Sequence, residues 1–181
     1  MVSVIRLLLV PFLLVLILAD RRATAYAAAV LFVLGAATDG LDGYLARRYS
    51  TVTRTGQWLD PLADKFLVAT PVVALVMIGG FPLWAAVIIL LREVTISILR
   101  ALLGIKGKSL PASQTAKVKT TLQLMAITLY ILPLGHGFGW VRLAVLMVAV
   151  LFTVYTGVLY MVQAREWLKR RAATLGKDPA S

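Results

Sequence analysis

The chain has 181 residues, 60% of them hydrophobic, and a formal net charge of +11. Its apolar share exceeds the roughly 45–50% of a soluble domain, and with a mean hydropathy of +0.88 it argues against a water-soluble fold. The lack of cysteine excludes disulfides and thiolate metal centres.

Six apolar runs follow one another, at 2–19, 24–47, 57–79, 82–103, 114–134 and 141–164. Each is close to the roughly 20 residues that a membrane-spanning helix requires. They predict one all-α integral membrane domain over 1–167 with six transmembrane helices, followed by a short basic, disordered cytoplasmic tail over 168–181. The first run lies within MVSVIRLLLVPFLLVLILADRRATAYA, whose apolar stretch and small-residue AYA also suit a signal peptide. Arg6 interrupts that run and five more follow, so it is read as a retained helix. The second and third runs meet at DGLDGYLARRYSTVTRTGQWLDPLADK, residues 39–65, which hold four of the chain's eight acidic residues. GGFP separates the third and fourth runs. GIKGKSLPAS is the longest polar connection, with Gly104 suited to a helix end and Pro111 to Ser113 suited to a helix start. The only histidine, His136, falls in LGHGFG between the last two runs and reads as a loop residue rather than a ligand.

Basic residues gather after the second run (Arg47, Arg48, Arg54), after the fourth (Lys106, Lys108, Lys117, Lys119) and in the tail (Arg165, Lys169, Arg170, Arg171, Lys177). Six spans would put all of these on one side with the N-terminus. The positive-inside bias then places both termini and the acidic turn in the cytoplasm, against the contrary sign of Arg21, Arg22 and Arg142. Charge confined to short turns between apolar runs is a poor nucleic-acid surface and a good partner for anionic lipid headgroups.

The four aspartates fall on two helical faces. In a helix, Asp39, Asp42, Gly43, Ala46 and Arg47 share a face, and so do Gly56, Asp60, Ala63 and Asp64 in the next. Consecutive spans joined by a turn are antiparallel neighbours, so the two faces can oppose one another. Even on the lenient insertion scale, one acidic group at a bilayer centre costs about 2.5–3.5 kcal/mol. The carboxylates must therefore protonate, pair with Arg47 and Lys65, or hold multivalent cations. An all-oxygen donor set suits hard ions such as Mg²⁺ or Mn²⁺, and four carboxylates can bridge two of them to clamp a phosphate. The small residues leave room for a ligand against the backbone, and Arg47 suits a phosphate oxygen. Spacing alone leaves three readings open: metal-assisted phosphate chemistry, an ion or proton pathway of a transporter, and interhelical ion pairing.

Asp39, Asp42, Gly43, Ala46, Arg47, Gly56, Asp60 and Asp64 match D-x2-D-G-x2-A-R-x8-G-x3-D-x3-D without a gap. In this the chain resembles the CDP-alcohol phosphotransferase family, and the apolar architecture extends the resemblance over most of its length. The resemblance implies a six-helix membrane fold, homodimeric, that displaces CMP from a CDP-linked lipid with two Mg²⁺ or Mn²⁺ ions. By position it makes Asp39, Asp42 and Asp60 metal ligands, with Asp39 and Asp60 bridging, and Asp64 both a ligand and the general base. Gly43, Ala46, Arg47, Thr53 and Gly56 fall where the family meets the CDP-lipid. Relatives often open with an N-x-x-T-x-x-R-like stretch, where this chain has MVSVIR with Ser3 and Arg6. A membrane prenyltransferase also sets aspartates and Mg²⁺ against diphosphates, but it would need two separated Asp-rich motifs.

The acceptor is read from the fourth and fifth runs. Arg92, Glu93 and Arg100 lie in LLREVTISILR, where Glu93 and Arg100 share a stripe with Arg92 at its margin; Lys117, Lys119 and Thr120 lie in PASQTAKVKTT. A bland reading pairs Glu93 with an arginine and lets the lysines snorkel to the interface. The excess of positive charge suits an anionic acceptor better than choline or ethanolamine. REVTISILR and PASQTAKVKTT further resemble bacterial family members that use glycerol 3-phosphate. The expected reaction joins CDP-diacylglycerol and glycerol 3-phosphate at the cytoplasmic face of a prokaryotic plasma (inner) membrane. Arg92, Lys117 and Lys119, with Arg100 and Thr120, would receive the acceptor phosphate. Inositol phosphate and phosphatidylglycerol are the alternative acceptors.

Overall fold

The computed structural model describes residues 2–49, 54–105 and 114–175; within these, side chains are described except at 2–5, 39–49, 54–62, 64, 136 and 170–175. The described residues form six α-helices: α1 (Val2–Leu18), α2 (Arg22–Tyr49), α3 (Arg54–Met77), α4 (Leu83–Ile105), α5 (Gln114–Ile131) and α6 (Gly139–Leu175). A 3₁₀ turn at His136–Phe138 precedes α6. Every expected apolar run lies on a helix, and the differences are at the ends. Around the acidic turn the helices outrun the apolar stretches, because LARRY and RTGQWL contain no proline and several good helix formers. α5 stops at Ile131, short of the expected 134, because Pro133 lacks an N–H and restricts the residue before it. α6 meets neither glycine nor proline in EWLKRRAATL and so takes in residues 168–175, at the head of the expected tail.

α1 packs on α3 and α2, α5 on α6 and α2, and α4 on α6. Leu13 and Ile17 of α1 are buried in a common core with Phe32, Val72, Ile89, Ile127 and Leu146. Ala28, Ala74, Ala85, Ala126 and Ala149 are also fully buried, and residues this small let helix backbones approach closely, as in membrane bundles. The outside is apolar too, since Phe12, Met77, Leu83, Leu91 and Trp140 are largely exposed. An apolar exterior of this extent marks a surface that does not meet water. Among the described residues, Gly139–Lys169 is long and apolar enough to cross a membrane, and α1, α2 and α3 carry shorter apolar segments.

Two features explain the ends of the bundle remote from the acidic turn. Gly80 N–H donates to Leu75 O at 2.8 Å and Gly79 N–H to Val76 O at 3.0 Å, with Gly79 at φ +69°. This is a Schellman cap on α3, whose left-handed residue favours glycine. Gly79→Ala is expected to cost about 1–2 kcal/mol, read as a thermal midpoint in detergent lowered by several degrees; an unchanged midpoint would contradict the cap. Arg142 donates from Nη2 to Leu132 O and, at 3.3 Å, to Leu134 O. It therefore ties together two carbonyls of the turn that follows α5. This structural use gives Arg142 a role that does not depend on the charge bias.

Candidate functional site

Asp39, Asp42, Gly43, Ala46 and Arg47 lie within α2, and Gly56, Asp60 and Asp64 within α3. Both stretches are continuous helix, so the registers that align each set on one face hold along the backbone. Their side chains, and all of Thr53, lie outside the described residues. Four carboxylates with no sulfur or imidazole form a donor set that fits a hard divalent cation. Among the described residues no group of three or more His, Cys, Asp or Glu side chains is placed to hold a metal ion.

Among the described residues, a second group expected from sequence is cationic. Arg92 and Glu93 come from the middle of α4 and Lys119 from the first turns of α5. Lys119 is only 4% exposed, and its Nζ donates to Glu93 Oε1. Arg92 donates from Nη1 to the same carboxylate oxygen at 3.4 Å and from Nη2 to Thr156 Oγ1 of α6 at 3.0 Å. One turn further along α6, Tyr160 accepts from Arg100, whose guanidinium carbon lies 4.7 Å from the centre of the tyrosine ring. Glu93 is thus shared by Arg92 and Lys119, and Arg100 takes a neutral partner instead of the carboxylate on its own stripe. Two cations share one carboxylate and Arg100 adds a third with no anionic partner, so the cluster keeps an excess of positive charge.

Lys119 does not snorkel. It turns inward because its position on α5 faces α4 and because Glu93 is there to meet it. Lys117 and Thr120, expected beside it, are exposed, and Thr120 turns its hydroxyl back to Ala116 O at 3.0 Å. Thr156 and Tyr160 were not foreseen from sequence. Their signal was faint: two hydrogen-bonding side chains four residues apart, one turn, on an otherwise apolar helix.

Between α2 and α5 lies an open apolar groove of about 430 Å³, lined by Phe32, Ala36, Ala37, Leu124, Met125 and neighbours. Ala36 and Ala37 immediately precede the aspartate stretch, and Thr121, two residues past Lys119, is also on its wall. The groove therefore lies beside the stretch of α2 that precedes the aspartates and beside the middle of α5.

Comparison with known proteins bears on the whole of this arrangement. The family model for CDP-alcohol phosphatidyltransferase matches residues 1–155. A probable phosphatidylglycerophosphate synthase of Mycobacterium tuberculosis is 39% identical over 165 residues, covering 90% of this chain and 78% of that protein. A CDP-diacylglycerol–glycerol-3-phosphate 3-phosphatidyltransferase of Bacillus subtilis is 40% identical over 147 residues, covering 79% of this chain and 76% of its own length. One of the same name from Shigella flexneri is 35% identical over 170 residues, covering 91% and 93%.

Proposed function

The chain belongs to the CDP-alcohol phosphatidyltransferase family, a membrane-associated family of transferases that generally use divalent metal ions, and from that premise we propose that it transfers the phosphatidyl group of CDP-diacylglycerol to glycerol 3-phosphate. The products are phosphatidylglycerophosphate and CMP. The names of the relatives support the substrate pair. The observation that carries the choice of acceptor is the cluster in which Arg92 and buried Lys119 share the single carboxylate of Glu93, with Arg100 further along the same helix on a neutral partner. An acceptor bearing a phosphate monoester supplies the negative charge that this cluster lacks, and a neutral alcohol does not.

Asp39, Asp42, Asp60 and Asp64 would hold two Mg²⁺ or Mn²⁺ ions. When bound, these ions neutralise the diphosphate and the charge that develops on departing CMP. Gly43, Ala46 and Gly56 leave backbone space for the CDP-lipid, and Arg47 and Thr53 contact its CDP portion. The groove between α2 and α5 takes an acyl chain. Arg92 and Lys119, with Arg100, Lys117 and Thr120 towards the rim, hold the phosphate of glycerol 3-phosphate. That contact presents the sn-1 hydroxyl to Asp64, which takes its proton as general base. The hydroxyl oxygen bonds to the lipid-side phosphorus while the bond from that phosphorus to CMP breaks. No ATP enters, because the diphosphate is already activated. The six helices cross the plasma membrane of a prokaryote with both termini and the site at the cytoplasmic face, and the enzyme works as a homodimer.

The test is CMP release by the purified full chain in detergent with CDP-diacylglycerol and either glycerol 3-phosphate, inositol phosphate or phosphatidylglycerol. Release is expected with glycerol 3-phosphate, lost in EDTA and restored by Mg²⁺ or Mn²⁺. Preference for another acceptor would reassign the cluster, full activity in chelator would reject the metal site, and ion flux in vesicles without CMP release would reject the enzyme.

A further inference from the structure

Just beyond the stretch matched by the family model, which ends at residue 155, α6 meets Arg92 closely. Thr156 is 1% exposed and donates its single hydroxyl proton to Phe152 O at 2.8 Å or Thr153 O at 3.2 Å. Its oxygen lone pairs are then free to accept from Arg92 Nη2 at 3.0 Å. The next residue is glycine. A Cβ at Gly157 would stand 3.3 Å from Arg92 Cγ and 3.8 Å from its Nε, closer than a side chain normally tolerates at the first of these. The stem of Arg92 therefore crosses α6 at a residue with no side chain, and its head is tied to the hydroxyl beside it.

We infer that Thr156 and Gly157 form a cradle on α6 that sets the reach of Arg92, making them positioning residues for the acceptor phosphate. The choice of a hydroxyl matters. A carboxylate in the place of Thr156 would hold the guanidinium as well but would cancel its charge, whereas a neutral acceptor fixes the geometry and leaves the charge for the ligand. Tyr160 treats Arg100 in the same way one turn later. Arg92 keeps further N–H donors beyond those given to Glu93 and Thr156, because a guanidinium has five in a planar fork. A phosphate needs that fork at a fixed distance and angle, and small displacements weaken paired hydrogen bonds. α6 thus takes part in substrate choice without touching substrate.

The inference rests on the assignment of Arg92 to the acceptor, and the experiment separates the two. KM for glycerol 3-phosphate and for CDP-diacylglycerol is measured by CMP release for the wild type, Arg92→Gln, Thr156→Val, Thr156→Ser and Gly157→Ala in the full chain. Thr156→Val keeps the shape and removes the acceptor, so the KM for glycerol 3-phosphate is expected to rise about tenfold, the value of one hydrogen bond to a charged group. The KM for CDP-diacylglycerol is expected to stay within about twofold, and Thr156→Ser, which retains the hydroxyl, to restore acceptor binding. Gly157→Ala is expected to raise the same KM about three- to tenfold by displacing the arginine stem, and it carries the test if Thr156→Val does not fold. A rise for Arg92→Gln with no selective rise for Thr156→Val or Gly157→Ala overturns the cradle alone. An unchanged acceptor KM in Arg92→Gln overturns the assignment of Arg92 and the cradle with it.

Discussion

Asp64→Asn is expected to lower CMP release by about a thousandfold or more while leaving the helical bundle folded. A positioned general base contributes roughly 10²–10⁴ in rate, and this substitution also removes one anionic ligand from the divalent site. Asparagine matches aspartate in shape, so the helix and its packing are not disturbed. Stability gives a second reading. On the proposed two-metal site the four carboxylates would repel one another without divalent ions, so replacing one with a neutral amide is expected to be neutral or favourable for the fold. With Mg²⁺ present, the wild type gains stability by ligand linkage, and the variant is expected to gain less. The decisive measurements are turnover and the Mg²⁺-dependent shift of the thermal midpoint in detergent. Turnover like that of the wild type would remove Asp64 as the base. Lost turnover with an undiminished Mg²⁺ shift would keep it as the base and remove it as a ligand.

The placement of the aspartates on α2 and α3 is legible because it is local. Four acidic residues within one stretch of 26, flanked by apolar runs, need only helical geometry to be grouped. The six helices are legible for a similar reason, since long apolar runs carry their own signal. What sequence spacing obscures is where one helix meets another. Glu93 and Arg100 share a stripe on α4, yet the structure gives Glu93 to Lys119, 26 residues away, and Arg100 to Tyr160, 60 residues away. Lys119 reads as an interfacial lysine until its neighbour is known, and burial then reverses that reading. Gly157 is one glycine in an apolar helix and means nothing until Arg92 is seen crossing it. Helix ends show the opposite balance. Pro133 explains why α5 stops early, and the cue was present in the sequence for a purely local reason.

Lys119→Ala is expected to raise the KM for glycerol 3-phosphate about ten- to a hundredfold, the range given by about 1.5–3 kcal/mol for a hydrogen bond to a charged group. The KM for CDP-diacylglycerol is expected to change little. The reasoning turns on what Glu93 does when Lys119 is gone. Its carboxylate keeps Arg92 at 3.4 Å and remains partly exposed, at 25%, so no isolated charge is left buried. Removing the lysine also removes the cost of keeping an ammonium in a site that is only 5% exposed. Fold stability should therefore suffer mainly from the lost stem. Lys119→Met, which fills the same space without charge, is expected to keep the wild-type thermal midpoint and still show the raised acceptor KM. Glu93→Gln should behave oppositely, because Arg92 and Lys119 then face each other with no anion between them. It is expected to lower the thermal midpoint more than either lysine variant. Equal increases in both KM values for Lys119→Met would place the lysine with the CDP-lipid or with the scaffold. A selective increase keeps it on the acceptor phosphate, where the charge of the cluster exceeds what Glu93 alone can balance.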